Sequence, residues 1–162
     1  MHTGIMILNV FAAIWAFVGL AAMPAPWWTY GVPAILSVAL VGWSWKKRDK
    51  HRVRDAAGSR RIGRLVGVWS AAEGVAIFLA ANILGNLAAY NLLVPIVSVI
   101  VGAHFLPLAH GLPMRIYYVT GGLLIALGTG ATLTSYPLSW VLTGIGAALV
   151  LWLTAPWHLF EY

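Results

Sequence analysis

The chain has 162 residues, 61% hydrophobic and only 9% charged, with a formal net charge of +6 and no cysteine; ordinary soluble domains carry roughly 25% charged residues. So few charges cannot cover a soluble domain of this length, so the surface must face lipid. The missing cysteines exclude disulfides, thiolate catalysis and Cys-ligated zinc or iron–sulfur centres.

Lipid offers no partner to backbone polar groups, so the composition predicts an all-α, polytopic membrane helical bundle forming a single domain over 1–162. Crossing ~30 Å of hydrocarbon takes about 20 helical residues. Six apolar runs bounded by Pro, Gly, Asn or charge meet that need. The first covers 5–22 and ends before Met23-Pro24-Ala25-Pro26; it lacks the basic n-region of a secretory leader. The second, 29–45, ends where a basic run begins. The third covers 62–84, the fourth 91–108, the fifth 114–133 and the sixth 138–155. Short connections at 85–90, 109–113 and 134–137 make tight hairpins of the last four.

Nine of the ten basic residues fall within the 46–64 loop, and the tenth is Arg115. Cytoplasmic loops retain Lys and Arg, so this loop is expected inside, which puts both termini in the cytoplasm and Arg115 on the same side. The expected location is the cell (inner or plasma) membrane, as a multi-pass protein. The loop's expected partners are membrane lipids, through their anionic headgroups. It has no interleaved stacking aromatics, which argues against nucleic acid. Trp27, Trp28, Tyr30, Tyr90, Tyr136 and Trp140 are expected at the outer headgroup level, and Trp43, Trp45, Tyr117, Tyr118, Trp157 and Tyr162 at the inner one. Trp15, Trp69 and Trp152 fall outside both belts.

Helices pack in lipid through small residues that let backbones approach. Expected seams are Gly122/Ala126/Gly130, Gly144/Ala148, Ser98/Gly102 and Ala72/Ala76/Ala80, and such stripes also suit a homo-oligomer. Pro107 removes the hydrogen bond to the Ala103 carbonyl and predicts a kink or helix end beside His104.

Glu73 is the one charged residue away from the ends of a span, and an ionisable group there marks a functional site by default. It lies about 12 Å beyond Leu65 along the helix, so a partner or a proton must accompany it. Spans three and four form a hairpin turning near Leu87 or Ala88, which puts Glu73 level with Gly102 and about 3 Å from the level of His104. The expected proton or ligand site is therefore Glu73 with His104, while the alternative for His104 is a hydrogen bond to the carbonyl that Pro107 frees. Asn82 and Asn86 are secondary polar candidates, expected with Asn91 to cap and tie the outer helix ends. His110 and His158 lie at the inner interface, but no ligand spacing supports a metal site. No cofactor is expected, and no Ser/His/Asp set or phosphate-binding glycine loop is present.

The strings GAHFLPLAH (Gly102 to His110) and RIYYVTGG (Arg115 to Gly122) resemble segments of small prokaryotic integral membrane proteins that have no assigned activity. The resemblance covers about 20 residues and implies only that His104, Pro107 and Tyr118 form a local unit. Three functional classes fit the chain. One is a small-molecule or proton-linked transporter or ligand-binding bundle using Glu73 near His104. Another is an intramembrane enzyme with the same two residues as acid and base on a lipid-like substrate. The third is a structural or accessory membrane protein. One embedded carboxylate suffices for transport, whereas catalysis needs a fuller constellation, so transport is the leading expectation.

Overall fold

Apolar runs that must satisfy their own backbone become helices, and a computed structural model describes them over residues 2–46, 56–112 and 114–157. The described residues form six α-helices and no strand. In chain order these are α1 (His2–Ala21), α2 (Gly31–Lys46), α3 (Ala56–Asn86), α4 (Leu93–Gly111), α5 (Ile116–Ala131) and α6 (Leu138–Trp157). Short 3-10 turns, Trp27–Tyr30 and Tyr90–Leu92, lead into α2 and α4. Residues 4–21, 60–86, 90–111 and 138–157 are long and apolar enough to cross a membrane, while the apolar helical segments 27–43 and 116–131 are shorter.

The helices outrun the apolar runs where charge begins. The expected loop 46–64 is largely helical at its ends, because Lys46 closes α2 and Ala56–Arg64 form the first turns of α3. Alanine and arginine are good helix formers, and α3 continues past the point where its sequence stops being apolar. Lys47, Arg48, Lys50, Arg52 and Arg54 lie outside the described residues, as do His158 and Tyr162. Nor does Pro107 end a helix, since α4 runs through it to Gly111.

Spatial order differs from chain order. The broadest interfaces pair α1 with α6 and α4 with α5. Around them are buried Ile5, Leu8 and Trp15 of α1, Phe105 of α4, Leu124 of α5 and Leu151 of α6. At one edge α2 rests mainly on α1, and at the other, among the described residues, α3 touches only α4 and the turn before it. None of residues 60–86 is buried. Large apolar side chains on α3, among them Val75, Phe78 and Ile83, face outward, as a lipid-facing surface requires.

Glycine sets the two main seams. Cβ atoms placed on Gly102 and Gly121 would lie 2.7 Å and 2.6 Å from each other's carbonyl oxygens, so α4 and α5 touch backbone to backbone. Gly144 of α6 abuts the backbone of Gly19 and the Trp15 carbonyl of α1 in the same way. The expected Gly122/Ala126/Gly130 seam is overturned: Gly122 and Gly130 meet nothing within 4 Å, and Ala126 is exposed. Spacing identified a stripe, but the neighbouring face with Gly121 and Gly128 carries the contact, because a bulkier residue there would strike α4.

The α3–α4 turn is a Schellman motif. Ala89 donates its amide to the Leu84 carbonyl and Ala88 donates to Gly85. Ala88 occupies the left-handed position at φ 51°. Tyr90 lies over Gly85, where a Cβ would sit 2.7 Å from its hydroxyl.

Candidate functional site

The antiparallel pairing of α3 and α4 sets the depth of Glu73 and His104, and the helical rotation of each brings their side chains together. Glu73 Oε2 lies 3.4 Å from His104 Nδ1, with side-chain exposures of 16% and 10%. The distance is long for a hydrogen bond, and Nδ1 makes none of ordinary geometry. The contact is thus a close approach of a carboxylate and an imidazole, an ion pair only when the imidazole is protonated. His104 also sits edge-on to Phe105, at 6.0 Å between ring centroids. Phe105 in turn packs on Tyr117 at 5.2 Å, so the imidazole is backed by an aromatic wall. Its Nδ1 faces Glu73.

The pair belongs to a wider polar level that the sequence did not reveal. Gly19 abuts Gly144 in the antiparallel α1–α6 pair, so Asn9, ten residues earlier, is level with Thr154. Thr154 Oγ1 lies 2.7 Å from Thr120 Oγ1 of α5. The Gly102–Gly121 contact puts Thr120 within one residue of the level of His104. Ser37 of α2 donates to the Asn9 carbonyl at 3.1 Å and accepts from Trp152 Nε1 at 3.1 Å. Ser37, Asn9, Thr154, Thr120, His104 and Glu73 thus share one level, one from each helix. Serine and threonine are common in spanning helices as backbone-bonded residues, so only the helix pairing distinguishes these.

The level is not fully satisfied. Thr120 and Thr154 contact each other and also donate to their own helix carbonyls, Ile116 at 3.0 Å and Val150 at 2.8 Å. Two hydroxyl protons cannot serve three contacts, so the pair has two alternative donor arrangements. Asn9 donates to the Ile5 carbonyl at 2.9 Å, but its Oδ1 is buried with no hydrogen-bond partner.

The secondary candidates lie apart from this level. Asn82 is exposed and donates to the Phe78 carbonyl, one turn back in its own helix, at 2.7 Å. Asn86 is exposed at the end of α3. The expected side-chain tie between the outer helix ends is therefore replaced by other contacts. Tyr90 covers Gly85, and Trp140 Nε1 of α6 donates to the Asn91 backbone carbonyl at 2.9 Å. His110 is exposed in the last turn of α4, and Tyr118 is 46% exposed. The aromatic partner of the His104 turn is Tyr117 through Phe105, because helical rotation carries Tyr118 outward. Among the described residues, no group of three or more His, Asp or Glu is placed to hold a metal ion.

One groove, of about 500 Å³, runs beside the first turns of α3 and is lined by Arg60, Arg61, Arg64, Leu65, Val68 and Trp69. Glu73 and His104 are not part of its lining. Compared with known proteins, the chain matches no protein-family model, no curated protein and no solved structure.

Proposed function

We propose that the chain is a multi-pass protein of the inner, or plasma, membrane, crossing six times with both termini cytoplasmic. In this reading it works as a small-molecule or proton-linked transporter, or ligand-binding bundle, whose proton site is Glu73 with His104. The observation that carries it is the 3.4 Å contact between a carboxylate and an imidazole at the seam between α3 and α4, the one helix seam of α3 among the described residues. A charged or polar pair costs several kcal/mol to keep in hydrocarbon, by order of magnitude, and is retained where a proton or ion must be held. α3 is the element suited to move: it is unburied, and α4 is its only neighbouring α-helix among those described. A proton shared by Glu73 and His104 holds that seam, and its loss leaves an anion that weakens it. Protonation would thus be linked to the α3–α4 geometry. A second copy, in a homo-oligomer, would help enclose the path.

The test is proton and solute flux in proteoliposomes with wild type and Glu73→Gln. The proposal expects flux driven by a proton gradient in wild type and a loss of at least about tenfold in the variant, as for removal of a proton-transfer group. Equal flux would sink the transport reading and favour an accessory role.

The position of the seam favours one second reading. Glu73 and His104 sit at the edge of the bundle, where a lipid-like substrate reaches them sideways from the bilayer, as an intramembrane enzyme using them as acid and base would require. A change in lipid composition on expression of wild type, absent with Glu73→Gln, would select it.

A further inference from the structure

The groove beside α3 has a charge pattern that selects its occupant. Arg60, Arg64 and Val68 follow one another four residues apart, and Arg61, Leu65 and Trp69 form the adjacent row. Such i+4 rows are parallel ridges on a helix, with a trough between them. Its mouth carries three guanidiniums, its floor is apolar and ends in an indole, and no carboxylate lines it. The arginines, Val68 and Trp69 are exposed and Leu65 is half-buried. From Arg60 to Trp69 the trough runs about 13 Å along the axis, from the headgroup level into hydrocarbon. On the far side of the first ridge, Gly63 and Gly67 would meet nothing within 4 Å even with a Cβ. On the other side, Leu65 of the second ridge packs against Gly111 of α4.

A ligand matching this trough is anionic at one end and apolar along two helical turns, and it lies parallel to a membrane-crossing helix. We propose that the groove binds one anionic phospholipid of the inner leaflet. Its phosphate sits among Arg60, Arg61 and Arg64, and an acyl chain lies along Leu65 and Val68 against Trp69. Guanidinium forks match phosphate oxygens with paired hydrogen bonds, and an indole suits the boundary between headgroup and chain. The diffuse attraction of anionic headgroups expected along the whole basic loop is thereby narrowed to a site on one helix. The inference needs α3 to cross the headgroup level and is independent of any role for Glu73.

Native mass spectrometry of the detergent-solubilised full chain tests it, titrating dioleoyl phosphatidylglycerol against dioleoyl phosphatidylcholine. Wild type should retain the first phosphatidylglycerol about tenfold more tightly than phosphatidylcholine, a modest share of what three surface charges can supply. Arg60→Gln/Arg61→Gln/Arg64→Gln should abolish that preference. Lys46→Gln/Lys47→Gln/Arg48→Gln, which removes the same charge from the loop, should leave it within about twofold. Trp69→Ala should weaken retention of the lipid without removing charge, and circular dichroism should show each variant as helical as wild type. Equal losses from the two triple variants would make the attraction diffuse and overturn the site. So would equal retention of the two lipids by wild type, or displacement of the lipid by glycerol phosphate at equal concentration.

Discussion

Glu73 and His104 make the sharpest residue-scale case, because each explains the other's presence in an otherwise apolar helix. Removing one partner of a fully buried pair typically costs about 3–5 kcal/mol, and this half-buried pair belongs at the low end of that range. His104→Leu should therefore destabilise the protein by about 3 kcal/mol, and Glu73→Leu/His104→Leu should recover most of that loss. Thermal unfolding in detergent micelles, arranged as a double-mutant cycle, checks both. The three tryptophans outside the aromatic belts also find residue-scale reasons. Trp15 is buried in the α1–α6 core, Trp152 donates to Ser37, and Trp69 lines the groove on α3.

Each element is governed by which of its faces is allowed to touch a neighbour. Gly144 meets the α1 backbone, so Gly144→Val should lower stability by about 2 kcal/mol or more through overpacking. Gly122 is equally small but faces open space, and Gly122→Val should change stability by less than about 0.5 kcal/mol. Melting temperatures of the two variants, measured side by side, separate a packed glycine from an exposed one. The α3–α4 turn allows a gain instead. Ala88 holds a left-handed conformation that disfavours any residue with a Cβ, so Ala88→Gly should stabilise the protein by up to about 1 kcal/mol. Unchanged or reduced stability in the same assay would count against the strained turn.

For the whole molecule, the row of helices with α2 and α3 at its edges follows from the two glycine seams between α1 and α6 and between α4 and α5. The proposed orientation can be tested directly because the chain has no cysteine. Single cysteines at Thr134 and at Ala57 should respond oppositely to a membrane-impermeant maleimide added outside intact cells. Thr134→Cys should be labelled and Ala57→Cys only after the membrane is opened, whereas the reverse pattern would invert the proposed orientation.

The sequence alone determined the helical class and the rough places of six apolar segments, several of them fit to cross a membrane, because hydrophobicity and span length act locally and need no partner. It also set Glu73 and His104 at similar depths, since a tight hairpin fixes the level of each residue by counting from its turn. Rotation about each axis was beyond it. Whether Gly121 or Gly122 met a neighbour, whether Tyr117 or Tyr118 turned inward, and whether Glu73 faced His104 depended on contacts with other helices. The polar level of Ser37, Asn9, Thr120 and Thr154 was hidden for the same reason: these residues lie far apart in the chain, and only the packing of α1 on α6 and of α5 between α4 and α6 aligns them.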